Sequence, residues 1–252
     1  QLDFTAGPET TRRLARSELL ARGALYDYAE LEVRHEAKAS EQAHLLAMAA
    51  ARIATRRGAP DQAVRYMKSI FPNYLSLPLD ASTAPLWKMA FPLPYKDPLL
   101  AEAANYGVDP YLMAGLIRQE SEFSASVVSH ANAHGLTQIM PATGAELARR
   151  LGLKGYTKVQ LFNPAVNLKM GTFYFKRLLD SLNGGLAKAL ASYNAGRGRV
   201  TEWTTRGDYE DPAEFIETIP FNETRNYVQS VIRNAGIYRR LYGKDSALNT
   251  VP

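Results

Sequence analysis

The sequence contains no cysteine, which excludes disulfides and thiolate metal sites. It has no run of about eighteen apolar residues, so an ordinary membrane-spanning helix is excluded too. No stretch has the strict apolar–polar alternation of a convincing strand, and a short hairpin around Ser129 to Gln138 is the one place left open for β pairing. No arginine-rich arm, nucleic-acid motif or Gly-Lys-Ser/Thr phosphate loop occurs. The chain starts Gln1-Leu2-Asp3-Phe4, with no initiator Met and no basic or apolar leader region. It therefore reads as a processed chain or an excised piece.

What is present is an ordinary folded composition. Of 252 residues, 46% are hydrophobic and 22% charged, enough for a real core in one large domain or two modest ones. The net charge of +5 would draw the protein to an anionic polymer: nucleic acid, anionic lipid or bacterial wall. The basic residues are scattered, so charge alone does not select nucleic acid.

Nearly every long segment has helical spacing, and the fold class read from it is all-α. Between Glu9 and Phe71, Leu14, Leu19, Leu20, Leu45, Leu46, Ala49, Ile53, Val64 and Met67 recur every three or four positions. Breaks near Gly23, Ala37 to Ser40 and Gly58-Ala59-Pro60 predict four helices in two hairpins, a segment assigned to residues 1–75. Residues 76–98 carry Pro78, Pro85, Pro92, Pro94 and Pro98 with Trp87 and Phe91 between them, which reads as an extended connector. Residues 99–252 read as a second helical domain. Three of its helix starts carry one signal, Asp109-Pro110, Asn163-Pro164 and Asp211-Pro212: a capping side chain followed by Pro in the first turn.

One helix stands out. From Pro110 to about Ser121, Met113, Leu116, Ile117 and Glu120 fall on one face. A carboxyl there is costly unless it is paired or neutral. Desolvation and the negative helix C-terminus would both raise its pKa. A protonated carboxyl is what general-acid cleavage of a glycosidic bond needs. A structural ion pair explains the same spacing.

Four segments carry more information: Arg118-Gln119-Glu120-Ser121, Gly135-Leu136-Thr137-Gln138-Ile139-Met140-Pro141, Ser192-Tyr193-Asn194-Ala195-Gly196, and Ile219-Pro220-Phe221-Asn222-Glu223-Thr224-Arg225-Asn226-Tyr227-Val228. In this order, across roughly Met89 to Tyr242, the chain resembles the soluble lytic transglycosylases of the goose-lysozyme-like superfamily. That resemblance implies a lysozyme-like helical catalytic domain preceded by a helical-hairpin, α-superhelical segment. It makes Glu120 the acid and base, with Tyr193 holding the carboxyl by a hydrogen bond. Ser129, Thr137, Gln138, Asn194, Glu223 and Tyr227 would line the sugar subsites. Each has a plainer alternative. Tyr193 and Tyr227 could be core aromatics, Gln138 and Ser129 turn residues, Asn194 a helix-end residue, and Glu223 a first-turn acid.

The chain departs from the family pattern in three places. Asn132 stands where relatives often have Gly, and Asn tolerates the left-handed backbone that turn requires. Thr137 replaces a usual Met, removing an apolar contact at the cleft. Ser192 replaces a usual Ala.

The motifs supply one carboxyl where ordinary glycosidases use two. Glu122 lies on another face or beyond the helix end. The resemblance implies a route in which the substrate helps. Glu120 protonates the oxygen between N-acetylmuramic acid and N-acetylglucosamine, the N-acetyl group assists, and Glu120 then takes the C6 hydroxyl proton as a 1,6-anhydro ring closes. No metal and no cofactor are expected. His130 and His134 have helical metal-pair spacing but sit in a loop-like stretch with no third ligand. The implied partner is the glycan strand of peptidoglycan, in the periplasm or cell envelope, acted on by a monomer. The N-terminal helices would guide a strand or bind wall-machinery proteins. Two other readings fit the same residues: a hydrolytic muramidase using Glu223 or another acid, and a silent wall-binding scaffold.

Overall fold

The computed structural model describes residues 2–205, 207, 209 and 211–249. Among these are thirteen α-helices and no extended strand; the only β pairing is two isolated bridges, Val128 with His134 and His134 with Ile139. The chain divides into two units. One comprises residues 1–94 with 240–252, the other residues 95–239.

In the first unit, α1 (Pro8–Arg22), α2 (Tyr26–Arg34), α3 (Ala43–Arg56) and α4 (Pro60–Ile70) are the four helices the breaks predicted. α3 is alanine-rich on its buried face (Ala47, Ala50, Ala51, Ala54), which lets α2 and α4 pack closely on it. α4 answers with Ala63, Val64, Met67 and Ile70, a stripe at helical spacing. Inside this interface Glu30 is buried, and it accepts from Tyr66 Oη and pairs with Arg57 (3.1 Å).

The proline-rich segment is a correction. Residues 76–98, read as an extended connector, contain a helix, α5 (Ala84–Ala90), and belong to the first unit as far as Pro94. The reason is position: Pro85 sits in the first turn of α5, where its missing N–H costs nothing. The Trp87 indole donates to the Pro78 carbonyl (3.0 Å), and Trp87 packs against Tyr74 and Phe91.

The second unit holds α6 (Lys96–Tyr106), α7 (Pro110–Glu120), α8 (Pro141–Arg150), α9 (Pro164–Ser181), α10 (Leu186–Ala195), α11 (Arg197–Thr204), α12 (Pro212–Thr218) and all but the last turn of α13 (Asn222–Tyr242). All three Asp/Asn-Pro starts cap as expected: Asp109 accepts from Tyr111 N, Asn163 from Ala165 N and Val166 N, and Asp211 from Ala213 N, at 2.8–3.2 Å. The core joins Met113 and Leu116 of α7 to Phe175, Leu190, Trp203, Phe215, Val228 and Val231. Gly115 makes the α7–α13 crossing tight: a Cβ there would lie 2.8 Å from Ala235 N and 2.9 Å from Val231 O. That approach brings the α13 backbone alongside the helix that ends in Glu120.

Candidate active site

Glu120 is the last residue of α7. The apolar residues below it, Met113, Leu116 and Ile117, are fully buried. The chain then turns sharply, with Glu122 and Phe123 both at positive φ (53° and 68°). Consecutive non-glycine residues in that region are uncommon, and such strain concentrates at functional sites. The turn is pinned by Ser121 Oγ, which donates to the Leu136 carbonyl (2.7 Å). Glu122 lies beyond the helix end.

Glu120 keeps some surface open while its carboxyl is enclosed. Burial pushes that carboxyl up from the ordinary value of 4.5 to about 7, against a lowering hydrogen bond from Tyr227. The negative end of α7 acts in the same direction as burial. Tyr227 Oη donates to Glu120 Oε1 at 2.6 Å.

That bond corrects the expectation about the two phenols. Tyr193, expected to hold the carboxyl, donates instead to the Thr137 backbone carbonyl at 2.7 Å. Tyr227, expected to line the cleft, makes the bond to the acid. Both phenols are raised well above the usual tyrosine range, first by burial and next by the charge of Glu120. Tyr193 therefore sits in the acid's electrostatic reach without being hydrogen-bonded to it. Tyr174 and Phe175 of α9 pack on its ring at 5.3 and 6.1 Å.

Thr137 departs from its expectation as well. It was expected at the cleft, but its side chain is fully buried. Its Oγ1 donates to Asn167 Oδ1 at 2.6 Å, and it occupies the space a Cβ on Gly171 would need. What Thr137 offers the site is its carbonyl. The reason is local: Gly135 (φ 74°) and Gln138 (φ 51°) tighten the turn, so residue 137 faces α9 rather than solvent.

The remaining predicted residues are partly exposed or exposed. Gln138 folds back, Nε2 donating to the Gly135 carbonyl (2.9 Å). Ser129 Oγ accepts from Ala133 N (3.0 Å), and Asn132 has the left-handed backbone that its place demanded (φ 65°). Asn194 Oδ1 accepts from Thr224 Oγ1 (2.7 Å), tying the end of α10 to the first turn of α13. Glu223 is exposed one turn before Tyr227 on α13, and positions four apart share a helix face.

Sequence reasoning missed Asn167 and Thr224. Asn167 is fully buried and uses its whole side chain: Oδ1 accepts from Thr137 N and Oγ1, and Nδ2 donates to the carbonyls of His134 (3.0 Å) and Leu161 (2.8 Å). Its signal was a polar residue at a core position of α9, four before Gly171 and eight before Phe175 on the same buried face. Among the described residues no group of three metal-ligating side chains occurs. His134 is buried, stacked on Phe162 (5.0 Å), with Nε2 paired to Asn132 Oδ1.

The family model described as Transglycosylase SLT domain matches residues 97–216, and that described as Soluble lytic transglycosylase helical domain matches residues 218–247. The soluble lytic murein transglycosylase of Salmonella typhimurium is 34% identical over 160 residues, covering 63% of this chain and 25% of that protein. Its counterpart in Escherichia coli K12 is 33% identical over the same length and shares. Of solved structures, the lytic transglycosylase Slt of Pseudomonas aeruginosa superposes with a TM-score of 0.73 at 30% identity, over 92% of this chain and 38% of that one. The 70 kDa soluble lytic transglycosylase of Escherichia coli gives 0.71 at 28% identity, over 94% and 36%. The chain thus spans about a quarter of the length of the curated relatives it matches.

Proposed function

Because the chain belongs to the soluble lytic transglycosylase family, an all-α, lysozyme-like fold with a superhelical part, we propose that it cleaves the glycan strands of peptidoglycan by a non-hydrolytic route with Glu120 as acid and base. The observation that carries the reading is the enclosed carboxyl of Glu120, raised to about 7 and touched by one phenol. A group of that pKa is substantially protonated at neutral pH and can take its proton back.

The chemistry follows from the single carboxyl. Protonated Glu120 delivers its proton to the oxygen joining N-acetylmuramic acid to N-acetylglucosamine, and the C1–O4 bond breaks. The substrate's N-acetyl group shares the positive charge that forms at C1. Glu120, now a carboxylate, removes the proton from the muramic C6 hydroxyl, and O6 bonds to C1. No water enters, and the cut end is a 1,6-anhydro sugar. The bond from Tyr227 stabilises Glu120 in the interval when it is charged. Ser129, Gln138, Asn194 and Glu223 serve as sugar-contacting residues, and Tyr193 acts behind the carboxyl. The setting is the cell envelope, consistent with relatives named for murein; no helix among the described residues is long and apolar enough to cross a membrane. The enzyme acts as a monomer, and the helices of residues 1–75 engage the strand or partner proteins of the wall.

Mass spectrometry of products from purified sacculi tests this directly. Transglycosylation yields muropeptides one water lighter than reducing-end products. Reducing ends would instead establish the hydrolytic reading, with Glu223 the first acid to replace. Glu120→Gln should lower the rate by about a thousandfold or more. A variant that still cleaves at the parental rate removes Glu120 from the chemistry.

A further inference from the structure

Near the acid runs a chain of hydrogen bonds whose centre, the side chains of Asn167 and Thr137, is fully buried. Asn167 Oδ1 accepts both donors of Thr137, its amide (2.8 Å) and its hydroxyl (2.6 Å). Asn167 Nδ2 anchors the other side to the His134 and Leu161 carbonyls. The peptide that follows is fixed as well: Gln138 N donates to the Gly135 carbonyl (3.1 Å), and Gln138 is held at φ 51°. The space is used to the limit. A Cβ on Gly135 would meet Asn167 Nδ2 at 2.5 Å, and one on Gly171 would meet Thr137 Oγ1 at 2.4 Å. The result is one aimed carbonyl, that of Thr137, which receives the Tyr193 hydroxyl.

A buried phenol must donate to something. Tyr193 gives its proton to a neutral carbonyl while the charge of Glu120 acts on it. A bond to the anion is the stronger and would favour the charged carboxylate. Glu120 is touched by Tyr227 from α13, its charge acts on Tyr193 from α10, and Tyr174 of α9 acts on Tyr193 in turn. On its own segment Arg118 is buried two positions earlier, and Glu122 follows two positions later. A second phenol proton on Glu120 would thus pull the acid toward ionisation before it has done its work.

We propose that Asn167 is a positioning residue for the Glu120 carboxyl: by fixing the Thr137 carbonyl as acceptor of the Tyr193 hydroxyl, it keeps that proton turned away from the acid until the acid has given up its own. Once Glu120 is a carboxylate, the hydroxyl has reason to turn to it, and returns when Glu120 is reprotonated. The idea rests on the reading of Glu120 as the acid.

The test uses the full chain and two readouts, the pH profile of kcat/KM on glycan strands and the titration of the Glu120 carboxyl followed by carbon NMR. Asn167→Ala should move the basic limb, and the carboxyl titration, down by about one pH unit, with KM changed less than about twofold. Tyr193→Phe combined with Asn167→Ala should titrate where Tyr193→Phe alone does. A purely structural Asn167 would lower the melting temperature and leave both profiles in place. An unmoved titration, or a shift that persists without the Tyr193 hydroxyl, overturns the proposal. If Asn167→Ala does not fold, Thr137→Val carries the same readouts, with a smaller downward shift expected and Thr137→Ser restoring the parental profile. Failure of the acid assignment is separate: Glu120→Gln would then retain cleavage, while the carboxyl titration still decides the part played by Asn167.

Discussion

A carboxyl at the end of an apolar helix face needs either a cation or a proton. At Glu120 burial outweighs the one donor that favours charge, so the proton wins near neutrality. The folded state then binds that proton more tightly than the unfolded chain. Its contribution to stability is complete below about pH 4.5 and is lost as pH rises through about 7, a total of about 3 kcal/mol. Glu120→Gln escapes this loss, so its stability relative to the parent should rise by up to about 3 kcal/mol between pH 4.5 and 8, read from urea melts at both ends. Tyr227→Phe removes the hydrogen bond to the charged form. It should move the basic limb of the pH profile upward and lower kcat about tenfold, because the carboxylate between the two proton transfers loses its partner. A limb that moves downward contradicts this account. The acid itself was legible in the sequence, since spacing alone places a carboxyl on an apolar stripe. The assignment of phenols was not. Tyr193 and Tyr227 are both plausible donors on paper, and which reaches Glu120 depends on how closely α13 approaches α7.

Elements were legible wherever punctuation and periodicity agreed. The breaks that bound α1 to α4 and the three capped starts of α7, α9 and α12 are local signals, and local chemistry decides them. Residues 76–98 were misread because proline number was weighed above proline position. Helix crossings are the opposite case, set by residues far apart in the chain. Gly115 shows the cost of disturbing one: in Gly115→Ala the added methyl meets backbone atoms of α13, which cannot swing aside as a flexible side chain would. The variant should lose about 1–3 kcal/mol of stability. It should also lose activity in folded protein, as the helix carrying Tyr227 is displaced from Glu120. Activity per folded molecule equal to the parent would show that the crossing does not set the phenol's reach.

At the scale of the whole molecule, residues 240–252 share a unit with residues 1–94, though the whole of residues 95–239 separates them. Arg240 donates to the Leu79 carbonyl (2.6 Å), Tyr242 Oη to the Phe91 carbonyl (2.9 Å) and Lys88 Nζ to the Asn249 carbonyl (3.4 Å). Truncation after Arg239 should therefore speed amide hydrogen exchange in residues 72–91 while leaving α9 and α10 protected. No sequence signal announced this closure, because the polar contacts that make it are mostly to backbone carbonyls, which any residue carries. The arrangement makes residues 95–239 an insertion within a unit whose two ends are sewn together. Protein cut once by a protease between Pro94 and Tyr95 should consequently still elute as one particle, with its two pieces parting only in denaturant.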